Sequence, residues 1–179
     1  MLEPCVYQFS TVFNAEFQTL NTQLAPGANE PFYQAPKAQA PAIIFSNQDF
    51  FSSALHEVAH WCIAGEQRRQ LDDYGYWYAP DGRSNEQQTE FFKVEVKPQA
   101  LEWAFHLAAN LSFQFSLDNL NSEVCEKETD AFKQTVYAQL QRYFVNGFPE
   151  RALQVIQMLA SQYNSHQPIL LPPKLTNDN

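Results

Sequence analysis

Basic residues are scarce in this chain: 11 Lys and Arg stand against 20 Asp and Glu among 179 residues, a net charge of -9. Proteins that grip phosphate backbones or anionic lipid surfaces need a basic patch, so we expect neither nucleic-acid nor membrane contact. Cysteine is equally sparse. Cys5, Cys62 and Cys125 are odd in number and far apart, with no C-x-x-C pair, which excludes a disulfide framework and a cysteine zinc site and fits a reducing compartment. No apolar run approaches the length of a membrane span, and Met1-Leu2-Glu3-Pro4 does not open a basic-then-apolar leader. The expectation is a cytoplasmic monomer. There is no internal repeat and no nucleotide or flavin motif. What the chain does have is 45% hydrophobic and 15% aromatic residues, enough for one sizeable core at a length usual for a single domain, residues 1–179.

The pattern along the chain predicts a mostly helical α+β fold with a small sheet. Val6, Phe9, Phe13, Phe17 and Leu20 recur at helical spacing and give an amphipathic N-terminal helix. Residues 25–41, rich in Pro, Gly, Ala and Asn, read as an irregular connection with a short extended piece at Pro31-Phe32-Tyr33. Ala42-Ile43-Ile44-Phe45 reads as a buried strand. Ser46 and Asp49 resemble a capping box opening a helix that Gly65 ends, with Phe51, Leu55, Val58 and Cys62 as its apolar stripe. Tyr74-Gly75-Tyr76-Trp77-Tyr78 has strand character and stops at Pro80-Asp81-Gly82. Ser84 with Gln87 is a second capping box, starting a helix toward Asn110 that Pro98 should interrupt or kink near Glu95. Two further helices are predicted, residues 130–146 and 149–164, separated by a Gly147 stop and a Pro149 start. The Pro-rich tail from about residue 166 should be ordered only by docking.

Four histidines are few, yet two of them fall in His56-Glu57-Val58-Ala59-His60. An H-E-x-x-H run on a helix sets two imidazoles one turn apart on one face, able to close on a single transition ion, with the glutamate beside them. A third ligand is needed. The following helix offers a polar stripe, Gln88, Glu95, Gln99, Glu102 and His106, from which either Glu95 or Glu102 can complete two histidines and one carboxylate. For Glu102 and His106 a solvated or hydrogen-bonded pair is the plainer expectation. The ligand set suits zinc hydrolysis, with Glu57 as general base, and equally a ferrous oxygenase, with Glu57 relaying protons or shaping the surroundings of the metal. The motif is of the zincin metalloprotease type. A jelly-roll 2-oxoglutarate enzyme is not expected, because the chain has no His-x-Asp or His-x-Glu pair of the kind such enzymes use.

Longer strings of residues carry more information. His56-Glu57-Val58-Ala59-His60-Trp61-Cys62-Ile63-Ala64-Gly65, Arg68-Arg69, Tyr74-Gly75-Tyr76-Trp77-Tyr78 with Pro80-Asp81-Gly82-Arg83, and Val94-Glu95-Val96-Lys97-Pro98-Gln99-Ala100-Leu101 resemble, in this order, the bacterial elongation factor P hydroxylase family. The resemblance is densest over residues 45–103 and extends to Asn146-Gly147-Phe148-Pro149-Glu150-Arg151. It implies an oxygen-dependent enzyme that hydroxylates the β-lysylated lysine of elongation factor P, with a divalent metal, Fe(II) in function and zinc as another ion the site could bind. It also implies His56, His60 and Glu95 as ligands, Glu95 lying inside the V-E-V-K-P-Q-A string, and Glu57 as a side chain that is either catalytic or shapes the surroundings of the metal. Elongation factor P is then the partner. Arg68, Arg69, Arg83, Lys93 and Lys97 are the cations that could meet its acidic surface. The hydrolase remains the alternative, and no electron donor is legible.

Overall fold

The N-terminal phenylalanines do what their spacing dictates: helix α1 (Val6–Glu16) buries Val6, Phe9 and Phe13, and Phe17 follows them into the core. Leu20 does not. A tight turn after α1 carries it to the surface. This computed structural model describes residues 4–75, 85–117 and 126–175. The chain gathers into two units, Met1–Trp77 and Tyr78–Asn179. It is α+β, mostly helical with one small sheet.

In the first unit, α1 is followed by β1 (Thr22–Ala28), β2 (Phe32–Gln34), β3 (Ala42–Asn47) and α2 (Phe51–Ile63). The sheet order is β1-β3-β2, with β1 parallel and β2 antiparallel to β3, so that Leu24 and Tyr33 both lie opposite Ile44. Residues 25–28 are therefore strand and not the irregular connection expected. Pro26 is tolerated because β1 is an edge, and the register shift between Pro26 and Ala28 absorbs the Pro-Gly pair. Gly27 takes φ 98°, and its N–H still reaches the Gln48 carbonyl at 2.6 Å. The short extended piece at Phe32 and Tyr33 and the strand from Ala42 are as predicted.

Both edges of this sheet are closed by side chains. On β1 the Asn14 carboxamide accepts from Leu24 N–H at 2.7 Å and donates to Leu24 C=O at 3.1 Å, taking the place of a neighbouring strand. On β2 the Asp73 carboxylate accepts from Tyr33 N–H and the Asp72 carboxylate from Ala35 N–H, each at 2.8 Å.

The second unit consists of α3 (Asn85–Ala108), α4 (Glu126–Asn146) and α5 (Glu150–Tyr163), with α3 packed on the other two. Leu101, Ala104, Phe105 and Ala108 of α3, Val136 and Leu140 of α4 and Val155 and Leu159 of α5 are buried. The helix continues through Pro98 without the interruption that the proline could have caused. Proline removes one ladder bond, and packing of a buried helix on two neighbours outweighs that local loss. Asn110 at φ 57° ends α3. Leu111 N–H donates to His106 C=O and Asn110 N–H to Leu107 C=O, a left-handed cap made by asparagine. Helix α4 starts four residues before the predicted position, while Gly147 and Pro149 separate it from α5 as predicted. The tail docks through Tyr137, whose hydroxyl donates to Pro172 C=O at 2.9 Å. Among the described residues, no helix is long and apolar enough to cross a membrane.

Candidate metal centre

Helix α2 is built by its apolar face. Phe51, Ala54, Leu55, Val58, Ala59, Trp61 and Cys62 are buried, Phe51 edge-on to Phe9 and Trp61 edge-on to both Phe13 and Phe17. Each of the larger side chains contributes roughly 1.5–3 kcal/mol of burial, which fixes the helix against α1 and the sheet. Cys62 is thereby accounted for as core, as expected; Cys5 is exposed, and Cys125 lies outside the described residues. The expected capping box is not made. Ser46 is buried in β3, the helix begins at Phe51 without a side-chain cap, and the hydroxyl that accepts from Asn47 N–H belongs to Ser53.

With that face packed, His56, Glu57 and His60 fall on the half-buried side of α2. The two imidazoles meet edge to face, and their Nε2 atoms are 3.1 Å apart. Two neutral rings aiming both lone pairs at one place repel, unless one carries a proton there or a cation sits between them. Nitrogens 3.1 Å apart are close enough for both to reach one ion at metal–nitrogen distances of about 2.0–2.1 Å.

A tight turn borders this pair. Arg68 donates to the Tyr74 carbonyl at 3.0 Å, Arg69 donates to the Ala64 carbonyl, and Tyr33 donates its hydroxyl proton to Arg69 C=O at 2.9 Å. Asp73 and Tyr74 both adopt left-handed backbone, at φ 46° and 56°. The Tyr74 ring stacks on Tyr33 at 4.1 Å and lies parallel to the His60 imidazole at 6.4 Å. Burial raises the Asp73 carboxyl above its usual range; the Tyr33 amide opposes this, Asp72 adds to it, and His60 opposes it.

In the second unit the polar stripe of α3 is not solvated. Gln88, Glu95, Gln99, Glu102 and His106 are all buried, Glu95 at 2% exposure. A carboxylate so enclosed must be compensated by donors or by a cation. Gln99 donates to Ser116 C=O at 2.8 Å and accepts from Ser116 N–H at 3.2 Å, and Gln88 donates to Leu117 C=O, so these two residues hold the segment 111–117 along α3. The Glu102–His106 pairing runs through the backbone: His106 Nδ1 lies 2.9 Å from the Glu102 carbonyl and so carries the proton, and its ring meets Phe113 edge-on.

The family model described as elongation factor P hydroxylase matches residues 9–171. The elongation factor P lysine hydroxylase of Haemophilus influenzae (strain ATCC 51907 / DSM 11121 / KW20 / Rd) is 45% identical over 172 residues, covering 95% of this chain and 93% of the relative. The chain belongs to the elongation factor P hydroxylase family. The resemblance carried by the sequence strings is thus borne out, and the hydrolase alternative finds no support in these comparisons.

One expectation changes for this family member. Arg68 and Arg69 donate to the Tyr74 and Ala64 carbonyls and so help to hold the turn beside His60, and Lys93 pairs with Glu90 on the surface at 2.6 Å, an exposed contact of small value. Gly75 and Tyr74 belong to the turn and not to a strand, whereas Tyr76, Trp77, Tyr78, the Pro80-Asp81-Gly82 turn, Arg83 and Ser84 lie outside the described residues. Sequence reasoning missed Asp72, Asp73 and Tyr33. Their only signal was a charged turn after the H-E-x-x-H helix and an aromatic in a Pro-rich segment, with nothing to join the two.

Proposed function

We propose that this chain hydroxylates the β-lysylated lysine side chain of elongation factor P, with His56, His60 and Glu95 as the ligands of a divalent metal, Fe(II) in function. The observation that carries the reaction is the 45% identity, over nearly the whole of both chains, to a relative named elongation factor P lysine hydroxylase. Support for the ligand set comes from its chemistry: two imidazoles with Nε2 atoms 3.1 Å apart on one helix, with one carboxylate from another, are a donor set that suits a divalent transition ion, and the Glu95 carboxylate is buried and in need of compensation. An ion held there supplies the activation of oxygen that an unactivated C–H bond requires. Inserting one oxygen atom and releasing the other as water consumes two electrons and two protons, so a reductant must come from outside the chain.

The protein's own part is to orient and to move protons. His56 and His60 present Nε2 from a helix fixed by its buried face, and Glu57, half-buried between them in sequence, is the group that holds or passes a proton at its carboxylate. The H-E-x-x-H helix thus serves in the manner of a zincin metal helix, with zinc as another ion it could bind, and not as a jelly-roll oxygenase. Residues 1–179 act as one hydroxylase domain, a cytoplasmic monomer that takes a protein substrate and no nucleic acid or membrane.

The test is the intact mass of β-lysylated elongation factor P after incubation with the protein, ferrous iron, oxygen and a reductant. A gain of one oxygen atom with wild type, lost in Glu95→Ala, is expected. Full activity in Glu95→Ala would refute that ligand and move the carboxylate to Glu102. No gain with wild type under a reductant proven to work would refute the hydroxylase reading.

A further inference from the structure

Two consecutive non-glycine residues hold left-handed backbone in the turn after α2, Asp73 at φ 46° and Tyr74 at φ 56°. Aspartate visits this region readily, but a bulky residue such as tyrosine avoids it unless the surroundings impose it, and such strain is retained where it positions something. Here the imposing contacts are explicit. Asp73 is tied to Tyr33 N–H, Asp72 to Ala35 N–H and the Tyr74 carbonyl to Arg68, which together pin the turn to strand β2 and to the segment just after α2. The result is three nearly parallel rings: Tyr33 and Tyr74 at 4.1 Å and 16°, then Tyr74 and His60 at 6.4 Å and 12°. Tyr33 and Tyr74 are buried, so this stack cannot be a docking platform for a cationic side chain.

We propose that Tyr74 is a positioning residue for His60: the stack sets the plane of the imidazole and so the direction of its Nε2 lone pair. This rests on the reading of His60 as a ligand. An imidazole on a helix can swing about its terminal torsion, which has a broad minimum, and a parallel ring on one side removes that freedom. The strained turn therefore serves the ligand and not the chain connection.

The experiment uses the full-length protein and Co(II), whose visible spectrum reports ligand geometry, with affinity measured by chelator competition. Tyr74→Gly takes φ 56° without strain and keeps the backbone contacts of the turn, so it removes the ring alone. It is expected to weaken Co(II) binding about 10–100-fold, the usual loss when a partner that orients a ligand is removed, and to alter the spectrum. Tyr74→Phe, which keeps the ring, should match wild type. A folded Tyr74→Gly that binds Co(II) as wild type does, with the same spectrum, overturns the proposal. Should Tyr74→Gly fail to fold, the wild-type protein decides: nuclear Overhauser contacts between the His60 and Tyr74 rings support the stack, and their absence overturns it. His60→Ala separates the two readings. If it binds Co(II) like wild type the ligand assignment is wrong, whereas loss in His60→Ala with none in Tyr74→Gly sinks the positioning role alone.

Discussion

Helices α2 and α3 both carry ionisable side chains among apolar ones, but they treat them oppositely. On α2 the apolar stripe is buried while His56, Glu57 and His60 stay half-exposed; on α3 every residue from Pro98 to His106 is buried, the polar ones included. Chemistry placed as on α2 asks little of folding, because groups at a surface keep much of their hydration. Polar groups placed as on α3 must find partners inside, and Gln99 and His106 show how: a carboxamide matched to both polar atoms of one backbone unit, and an imidazole matched to a carbonyl on its own helix. A side chain on α2 should thus be removable at little cost to stability, and one on α3 should not.

The comparison breaks first at the proposed ligands, where the largest effects are expected. His56→Ala and His60→Ala should lower hydroxylation below about one hundredth of wild type while changing the unfolding free energy of the metal-free protein by no more than about 1 kcal/mol. Glu95→Gln should be as inactive, yet the metal-free variant should be at least as stable as metal-free wild type, since it removes a charge from a buried site. Metal sharpens the contrast. At about 100 times its dissociation constant an ion stabilises wild type by about 2.7 kcal/mol, or roughly 5–10 °C in melting temperature, and Glu95→Gln should lose that increment. A melting temperature of Glu95→Gln that rises with metal as wild type does would remove Glu95 from the set.

Next in size is Gln99. Gln99→Ala leaves Ser116 N–H and C=O without the carboxamide that matches them and opens a cavity, so a loss of about 2–4 kcal/mol is expected in urea denaturation. Gln99→Glu should do no better, because a carboxylate offers no donor to Ser116 C=O. A loss below about 1 kcal/mol would mean that the segment 111–117 is held instead by Trp103, which stacks on Phe113 and meets Phe115 edge-on.

The same contrast explains what could be read in advance. The apolar stripe of α2, the phenylalanines of α1, the strand at Ala42 and the Gly147-Pro149 boundary are local patterns, and each appears where its spacing put it. The five polar residues of α3 also have helical spacing, but spacing alone cannot tell a solvated face from a buried one. That depends on partners such as Ser116 that are distant in sequence. The turn at Asp72–Gly75 was illegible for the same reason: its aspartates bind the amides of Tyr33 in β2 and of Ala35 just after it, 40 and 37 residues earlier, and Tyr74 reads as a strand residue until those bonds force it left-handed. Of the centre, the two histidines were visible as a motif. Their neighbours Tyr33 and Tyr74 were visible only as aromatics.

A smaller effect is expected at the sheet edge that Asn14 closes. Asn14→Ala strands both polar atoms of Leu24 at a part-buried edge and should cost about 1–2 kcal/mol; Asn14→Asp keeps the acceptor for Leu24 N–H but sets a carboxylate against Leu24 C=O and should recover little of it. Equal stability of Asn14→Ala and wild type would show that water replaces the carboxamide.

The smallest effect tests the other edge, where the side chain is charged. The carboxyl of Asp73 is raised above its ordinary value, by burial first and by Asp72 besides, against the Tyr33 amide and His60, so the folded state binds its proton more tightly than the unfolded chain. Such a group favours the fold while protonated and loses that contribution as pH rises through the folded value. Asp73→Asn keeps an oxygen for Tyr33 N–H, tolerates φ 46°, and has no charge to desolvate. It should therefore match or slightly exceed wild type at neutral pH, by up to about 1 kcal/mol, and the margin should close as the pH falls below the unfolded carboxyl value near 4. Asp73→Ala, lacking the acceptor, should be less stable than wild type at both ends of that range. If Asp73→Asn proves the less stable variant at neutral pH, then the charge on Asp73 contributes more through the Tyr33 amide and His60 than its burial costs, and the two edges of the sheet are closed by different physics.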